Sequence, residues 1–485
     1  MMQGGVRVRP AAFALLAVFV IAAALRFYRL GTVPLWTDEL FTATYPRLGL
    51  DYLWSTGLRT EPTSPLYYTL IWSIEQIAGA SSLTLRLPSV FASLAAIGLT
   101  AALARELSPR PVVPVLAALL LALAPTDIFF AQEARAYALQ IAALALALLG
   151  LARVLVRGRG VVLYVAGAVL AVWLHPTSLI AVAALNLGAL AGLLGRPPLL
   201  RWPVLRRWCF GSVVVALFCV PLLPVLLSPD AAVATAWIEH FSRWSFEGLI
   251  GTTLAGPALG AYALRIAELG VPLLAALFLV PLWRPGRPAA IVLLLVPGVF
   301  LAAMIGISLV RPVLLSRTIA WMLVPLSVAL ADMLMRRYPV FRFAVLGVLS
   351  IATAVHLAKL GTLKEDWRSF LARLPGLSPP ALIVLAPHTS PAAFEFYAPG
   401  AGVPVRLDDG LPPVPETIVT QRAFGTRTIT TAEMEQAIAA GRPVWLVYRR
   451  PEYEWMRRAT AGLPSPRLAV QDSDGTNPGI RALRW

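Results

Sequence analysis

Long apolar runs alternate with short polar segments along this chain, near residues 10–28, 86–104, 112–130, 136–156, 161–175, 177–195, 208–228, 267–283, 289–310, 317–335 and 339–358. Such runs approach the ~20 residues that an α-helix needs to cross the hydrocarbon core of a bilayer. One stretch, SPLYYTLIWSIEQIAGA at 64–80, is short and interrupted by Glu75 and Gln76. The first run has a basic start and small residues, which is also the make-up of a signal peptide. With a polytopic body behind it, an uncleaved first span is expected. After about residue 360 the pattern changes to mixed polar sequence with many prolines. There ALIVLA (381–386) and VWLVY (444–448) predict strands. Between them TTAEMEQAIAAG has Thr430 and Glu433 at capping-box spacing and Gly441 at its end, which predicts a short helix.

Composition agrees with the pattern. Of 485 residues, 58% are hydrophobic and 14% charged, against about a quarter charged in soluble domains. The formal charge of +16 does not point to nucleic acid, because the arginines fall in short loops between apolar runs, as cytoplasmic loops require. If residues 64–80 lie along or dip into the interface, Arg7, Arg9, Arg105, Arg110, Arg153, Arg157, Arg159, Arg196, Arg201, Arg206, Arg207, Arg284, Arg287, Arg336 and Arg337 all fall inside. A full crossing at 64–80 would flip the later loops outward, against the retention of positive charge on the cytoplasmic side. The expected fold class is therefore an all-α polytopic membrane protein of about eleven transmembrane helices plus interfacial helices, with a small C-terminal α/β extracytoplasmic domain. The expected division is 1–360 for the membrane body and 361–485 for the α/β domain. The protein is expected in the cytoplasmic (inner) membrane, with its N-terminus cytoplasmic. Cys209 and Cys219 share one apolar run, so neither a disulfide framework nor a Cys-rich zinc site is available.

This topology sends 29–85, 131–135, the region around 175, 229–266 and 311–317 to the outer face, and the unusual polar residues gather there. In GTVPLWTDELFTATYP (31–46), Asp38 and Glu39 follow Trp36. They read either as acids in the first turn of a capped helix or as a site of chemistry. Glu61 adds a third carboxylate in RTEPTSPLYY, whose prolines and tyrosines suit an interface. FFAQEARAYALQ holds Gln132, Glu133, Arg135 and Tyr137; Glu133 and Tyr137 would be i,i+4 neighbours on a helix, and a local ion pair is the ordinary reading. His175 in VWLHPTSL reads as a group satisfying a helix end or lining a cavity. Arg311 and Arg317 need a partner outside, and a lipid headgroup or a phosphate would serve. Carboxylates and arginines on one face suit displacement of a phosphate leaving group by a hydroxyl. A carboxylate takes the proton, and an arginine or a divalent metal ion neutralises the departing phosphate.

At these residues the chain resembles the integral-membrane glycosyltransferases of the GT-C fold, family 39, in the branch of the protein O-mannosyltransferases and lipid A aminoarabinose transferases. The resemblance rests on WTDELFTA, PLYY, RLPSVFASLAA, QEARAYAL, HPTSL, RPVLLSRTIAWMLVPLSVALA and DWR (366–368), in that order over about residues 1–400. It implies transfer of a sugar from a polyprenyl-phosphate donor, with inversion, on the outer leaflet side. It makes Asp38 the base or acceptor-orienting group, with Glu39 beside it. Glu133, Arg135 and Tyr137 would line the same cavity, as would Glu61 and His175, and Arg135 and Arg317 would contact the donor phosphate. The chain departs from the family at EPTSPL, where Thr63 takes the place of a histidine and Glu61 is offset by one residue. It departs again where Thr318 follows Arg317 in place of tyrosine. The implied partners are the lipid-linked donor, membrane lipids and an envelope lipid, glycan or protein acceptor. The competing readings are a transporter or flippase for a lipid-linked substrate, which would place ionisable residues on broken helices within the membrane, and a non-catalytic envelope scaffold.

Overall fold

The computed structural model describes residues 8–57, 65–194, 197–223, 238, 241–262, 265, 286–336, 339–386, 389, 391–408, 422–449, 453–471 and 479–485. The apolar run at 267–283 lies outside the described residues, as do Glu61, Thr63, Ser64, Arg7, Arg196, Arg284 and Arg337. In chain order the helices are α1 (Val8–Phe27), α2 (Thr37–Thr44), α3 (Pro65–Ala78), α4 (Leu87–Leu107), α5 (Val112–Ala122), α6 (Pro125–Ala131), α7 (Tyr137–Arg157), α8 (Val161–Leu174) and α9 (Ser178–Leu194). They continue with α10 (Pro198–Cys219), α11 (Arg243–Ala255), α12 (Val296–Ser308), α13 (Leu323–Arg336), α14 (Phe341–Ala358), α15 (Trp367–Ala372), α16 (Ala392–Tyr397), α17 (Thr431–Ala439) and α18 (Tyr453–Ala459).

Among the described residues, seven helices are long and apolar enough to cross a membrane: Pro10–Phe27, Leu87–Leu107, Tyr137–Arg157, Arg201–Leu222, Arg287–Ser308, Ser316–Arg336 and Phe341–Ala358. Over the described residues, every apolar run read from the sequence overlaps one of these, the bent pair α5–α6, or the shorter apolar helices α8 and α9. The chain is a multi-pass membrane protein. Helix α3 has 14 residues, short of the ~20 a crossing needs. Where the sequence suggests one continuous span at 112–130, the chain bends by 63° between α5 and α6. Pro125 explains the break: it has no N–H to donate, and it drives Ala124 into extended geometry (ψ 115°).

The chain forms two compact units. The first comprises 1–28, 62–67 and 86–358, the second 29–61, 68–85 and 359–485. In the first, α7 packs against α4 and α8. Gly150 and Gly167 sit at the α7–α8 contact, where a Cβ on either would overlap the backbone of the facing helix. Small residues at such crossings let helices approach in the absence of a hydrophobic driving force. Several polar side chains inside the bundle are paired with one another. Asn186 Oδ1 accepts from Trp208 Nε1 (2.9 Å), Ser212 Oγ (2.8 Å) and Tyr164 OH (3.2 Å), tying α8, α9 and α10 together.

A second polar knot sits at the α5–α6 break. Arg26, in the last turn of α1, is fully buried. Its guanidinium donates to Asp127 Oδ2 (2.6 Å), Ser93 Oγ (2.6 Å) and the carbonyls of Ala22 and Ala122 (both 3.1 Å). Ser93 also donates to Asp127 Oδ2 (2.5 Å), and the Thr353 hydroxyl donates to the Leu123 carbonyl (2.6 Å). The bend thus frees the carbonyls of Ala122 and Leu123 at the end of α5, and an arginine and a threonine take them up. A break in a spanning helix persists only where such partners exist.

In the second unit, the described strands make one six-stranded sheet of order β3-β2-β1-β4-β6-β5. They are β1 (Leu382–Leu385), β2 (Val405–Leu407), β3 (Thr428–Ile429), β4 (Val444–Arg449), β5 (Leu468–Gln471) and β6 (Ile480–Arg484). β1 to β4 run parallel, and the β5–β6 hairpin adds antiparallel to β4. β1 is buried along its whole length, as a strand covered on both faces must be. Val384, Val405, Leu446, Met434 of α17 and Met456 of α18 share one core. The expected strands at 381–386 and 444–448 are β1 and β4. The expected helix is α17, with Thr430 accepting from the Glu433 amide and Glu433 accepting from the Thr430 amide (2.8 Å).

Candidate functional site

In the first unit the candidate residues collect around one ring. Tyr137 opens α7, His175 caps the C-terminus of α8, and Arg317 lies in the short helix Ser316–Ile319. The Arg135 and Arg317 guanidinium carbons lie 5.8 Å and 5.5 Å from the Tyr137 ring centroid. The electron-rich ring face offsets part of the repulsion between two cations held this close. The His175 ring stands 6.1 Å from the same centroid, and Phe130 packs edge-on from the other element (5.4 Å).

His175 lies in the turn between α8 and α9, outside both helices. Burial, and then the charges of Arg317 and Arg135, push its pKa down to about 3, so the imidazole is neutral at physiological pH. The Thr177 amide donates to Nδ1 (3.4 Å) and the Thr177 hydroxyl sits 2.8 Å from it, which leaves the ring proton on Nε2. Two guanidiniums and an Nε2–H are thus brought to one ring. Such a set accommodates an anion with several oxygens.

The segment leading into Tyr137 differs from the sequence expectation. Residues 132–136 form turns rather than helix, so Glu133 and Tyr137 are not i,i+4 neighbours. The cause is Gln132, which ends α6 and donates its Nε2 to the carbonyls of Leu25, Arg26 and Tyr28 (3.3, 3.2 and 2.9 Å). Those are the carbonyls that the end of α1 leaves without helical partners. Glu133 is buried in this turn, and the Ser89 hydroxyl holds the Arg135 carbonyl (3.2 Å).

In the second unit, Asp38 and Glu39 occupy the first turn of α2. Glu39 is fully buried, accepts from the Trp36 amide (3.4 Å) and lies 3.5 Å from Lys364 Nζ. Thr37 is tied to Glu365 by its amide (3.3 Å) and its hydroxyl. Asp38, between them, is half-buried. α2 gives way at Pro46 to a 3-10 turn and then to short helical turns through Gly57, where the sequence suggests one helix. The sequence reading missed Arg26, Asp127, Lys364 and Glu365. The only nearby signal was the DWR triplet that begins one residue after Glu365. Among the described residues no three His, Cys, Asp or Glu side chains are grouped to hold a metal ion.

No protein-family model and no curated protein matches this chain. Among solved structures it is similar to ArnT from Cupriavidus metallidurans in the apo state, with a TM-score of 0.61 and 15% identity over 98% of both chains. It is similar also to that ArnT bound to undecaprenyl phosphate, with a TM-score of 0.59 and 14% identity, again over 98% of each. At this identity the likeness establishes the fold. The chain has the GT-C fold expected from its sequence, an α-helical membrane body with a small C-terminal sheet.

Proposed function

We propose that this protein is a membrane glycosyltransferase. It moves a sugar from a polyprenyl-phosphate donor to a hydroxyl of an envelope lipid, glycan or protein, on the outer face of the cytoplasmic membrane. The observation that carries the reading is the gathering of Arg135, Arg317 and His175 around Tyr137, in a fold shared with a protein solved with undecaprenyl phosphate bound. In this reading Asp38 takes the proton of the acceptor hydroxyl as its oxygen attacks the anomeric carbon. The bond from that carbon to the phosphate oxygen breaks, and its electron pair leaves on the lipid phosphate. The guanidiniums of Arg135 and Arg317 neutralise the charge that builds there. Attack opposite the leaving group inverts the sugar carbon. Glu39, held by Lys364, supports the turn, and Glu133 lines the donor side.

The transporter reading gains the broken helix α5–α6 and the buried Arg26–Asp127 pair. The guanidinium of Arg26 is committed to Asp127, Ser93 and two backbone carbonyls, however, so the pair serves the bend rather than a passing substrate.

The test compares envelope glycolipids and glycans by mass spectrometry in a strain lacking the gene, complemented with wild type or Asp38→Asn. Loss of one sugar-sized mass, restored by wild type and not by the variant, is the expected result. Full restoration by Asp38→Asn would remove Asp38 as the base. An unchanged envelope profile in the deletion strain would overturn the glycosyltransferase reading.

A further inference from the structure

Helix α2 carries Asp38 and is eight residues long, too short to hold itself in one orientation. Its ties come from residues far along the chain. Glu365, buried and 328 positions from Thr37, accepts the Thr37 amide (3.3 Å) and hydroxyl on Oε2. The Trp367 indole N–H donates to the same oxygen (3.2 Å) and to Thr37 Oγ1 (3.1 Å). The other carboxylate oxygen of Glu365 accepts from Arg449 Nε (2.7 Å). Lys364 pairs with Glu39. On the flanks of α2, the Leu35 amide donates to Tyr397 OH (2.7 Å) and Arg47 pairs with Glu395.

These partners share a place in the sheet. Arg449 is the last residue of β4, while Glu395 and Tyr397 belong to α16, the helix that follows β1. β1 and β4 are adjacent and parallel, with β2 and β3 on one side and β6 and β5 on the other. The chain reverses its direction of winding between them. In open α/β sheets the crevice at the carboxyl ends of two such strands is where ligands bind. Here the groups reaching out from that edge hold the protein's own residues 35–47.

We propose that the C-terminal α/β domain is a positioning module, in which the switch-point edge of the sheet seats α2 where related architectures seat a ligand. Glu365, braced by Arg449, is the positioning residue that fixes the turn bearing Asp38. The buried carboxylate gathers three donors from α2 and Trp367 and passes its charge to the strand end. Removing Arg449 leaves that charge buried without its ion partner, and the Thr37 turn loses its anchor. The functional part of this proposal rests on the reading of Asp38 as the base.

The test uses the full-length protein in lipid nanodiscs and hydrogen–deuterium exchange of the peptide covering 37–44, together with complementation of the deletion strain. Arg449→Met and Glu365→Gln are expected to speed exchange in 37–44 at least tenfold and to leave α7 at the wild-type rate. Their envelope product should fall at least tenfold at equal protein level, and Arg449→Lys, which keeps the charge, should recover most of both. If neither polar variant folds, Trp367→Phe removes one N–H, keeps a ring against Phe370 (centroids 6.2 Å apart in the wild type), and should give the same change to a smaller degree. Wild-type exchange in 37–44 in all these variants would overturn the proposal. So would wild-type product from Arg449→Met when Asp38→Asn gives none. If Asp38→Asn gives full product, the base reading fails by itself, and the exchange data still decide whether the sheet seats α2.

Discussion

Cutting one side of the Arg26–Asp127 pair should be among the costliest single changes in the membrane body. Asp127→Ala leaves the guanidinium of Arg26 fully buried without its counter-ion, and the Ser93 hydroxyl without the carboxylate it donates to. Removing one partner of a buried ion pair costs about 3–5 kcal/mol. Polar groups in a membrane regain some partners on unfolding, which trims such figures, so ~3 kcal/mol is the working value. At 1.36 kcal/mol per decade that is roughly a hundredfold in the unfolding equilibrium. Arg26→Met should cost a similar amount, because it strands Asp127 and also frees the Ala122 carbonyl at the helix break. The double variant removes both charges and keeps only the loss at the carbonyl, about 1–3 kcal/mol. It should therefore be no worse than either single variant, with a coupling energy of about 3–5 kcal/mol. Heat unfolding of large membrane proteins is commonly irreversible, so the measurement is the dodecyl sulfate midpoint in mixed micelles, followed by tryptophan fluorescence. Single variants within about 1 kcal/mol of wild type, or a double variant that matches the sum of the singles, would refute the reasoning.

Glu75 on α3 supplies a pH dependence. Its half-buried carboxyl is pushed up to about 7 by desolvation, which Arg47 only partly opposes. Between pH 4.5 and 7 the unfolded chain ionises this group while the folded one keeps it protonated. Stability contributed below 4.5 is therefore lost as pH rises through 7, at no more than about 1.4 kcal/mol per unit and less for partial exposure. Glu75→Gln should flatten that part of the profile and be more stable than wild type at pH 8. A variant with the wild-type profile would count against the assignment. Gly167→Ala should destabilise the bundle by about 1–3 kcal/mol, although the same change in an open helix gains about 1 kcal/mol, because its Cβ meets the Ala147 backbone. A higher dodecyl sulfate midpoint would contradict that.

The membrane body was legible in the sequence because a span announces itself locally, by twenty apolar residues between basic loops. What escaped was the information carried by pairs. Arg26 reads as the basic residue that ends a span, and Asp127 as a stray acid, yet they are partners 101 positions apart. The bend at Pro125 lay inside a run that reads as continuous, since proline is tolerated in spanning helices when other groups satisfy the backbone. Arg135, Tyr137, His175 and Arg317 stood out singly as polar residues at span ends, and the structure brings them to one ring. β1, β4 and α17 were readable from a buried run, a second buried run and a capping box. β2, β3, β5 and β6 have no comparable signature, being two to five residues long and specified mainly by their neighbours in the sheet. Glu365 was invisible for the same reason as Arg26, because its meaning lies in Thr37 and Arg449.

The second unit is stitched from 29–61, 68–85 and 359–485, and that order has a consequence for how the protein is made. Once residue 85 leaves the ribosome, residues 86–358 must be synthesised and inserted before the strands that complete the unit exist. At about 5–20 residues per second this takes on the order of tens of seconds. Through that interval Thr37 and Glu39 wait without Glu365 and Lys364. Throughout it, the turn bearing Asp38 has no seat. The last segment to be translated is thus the one that seats the first loop, and the turn at Thr37 gains its anchor only when the chain's own end has folded.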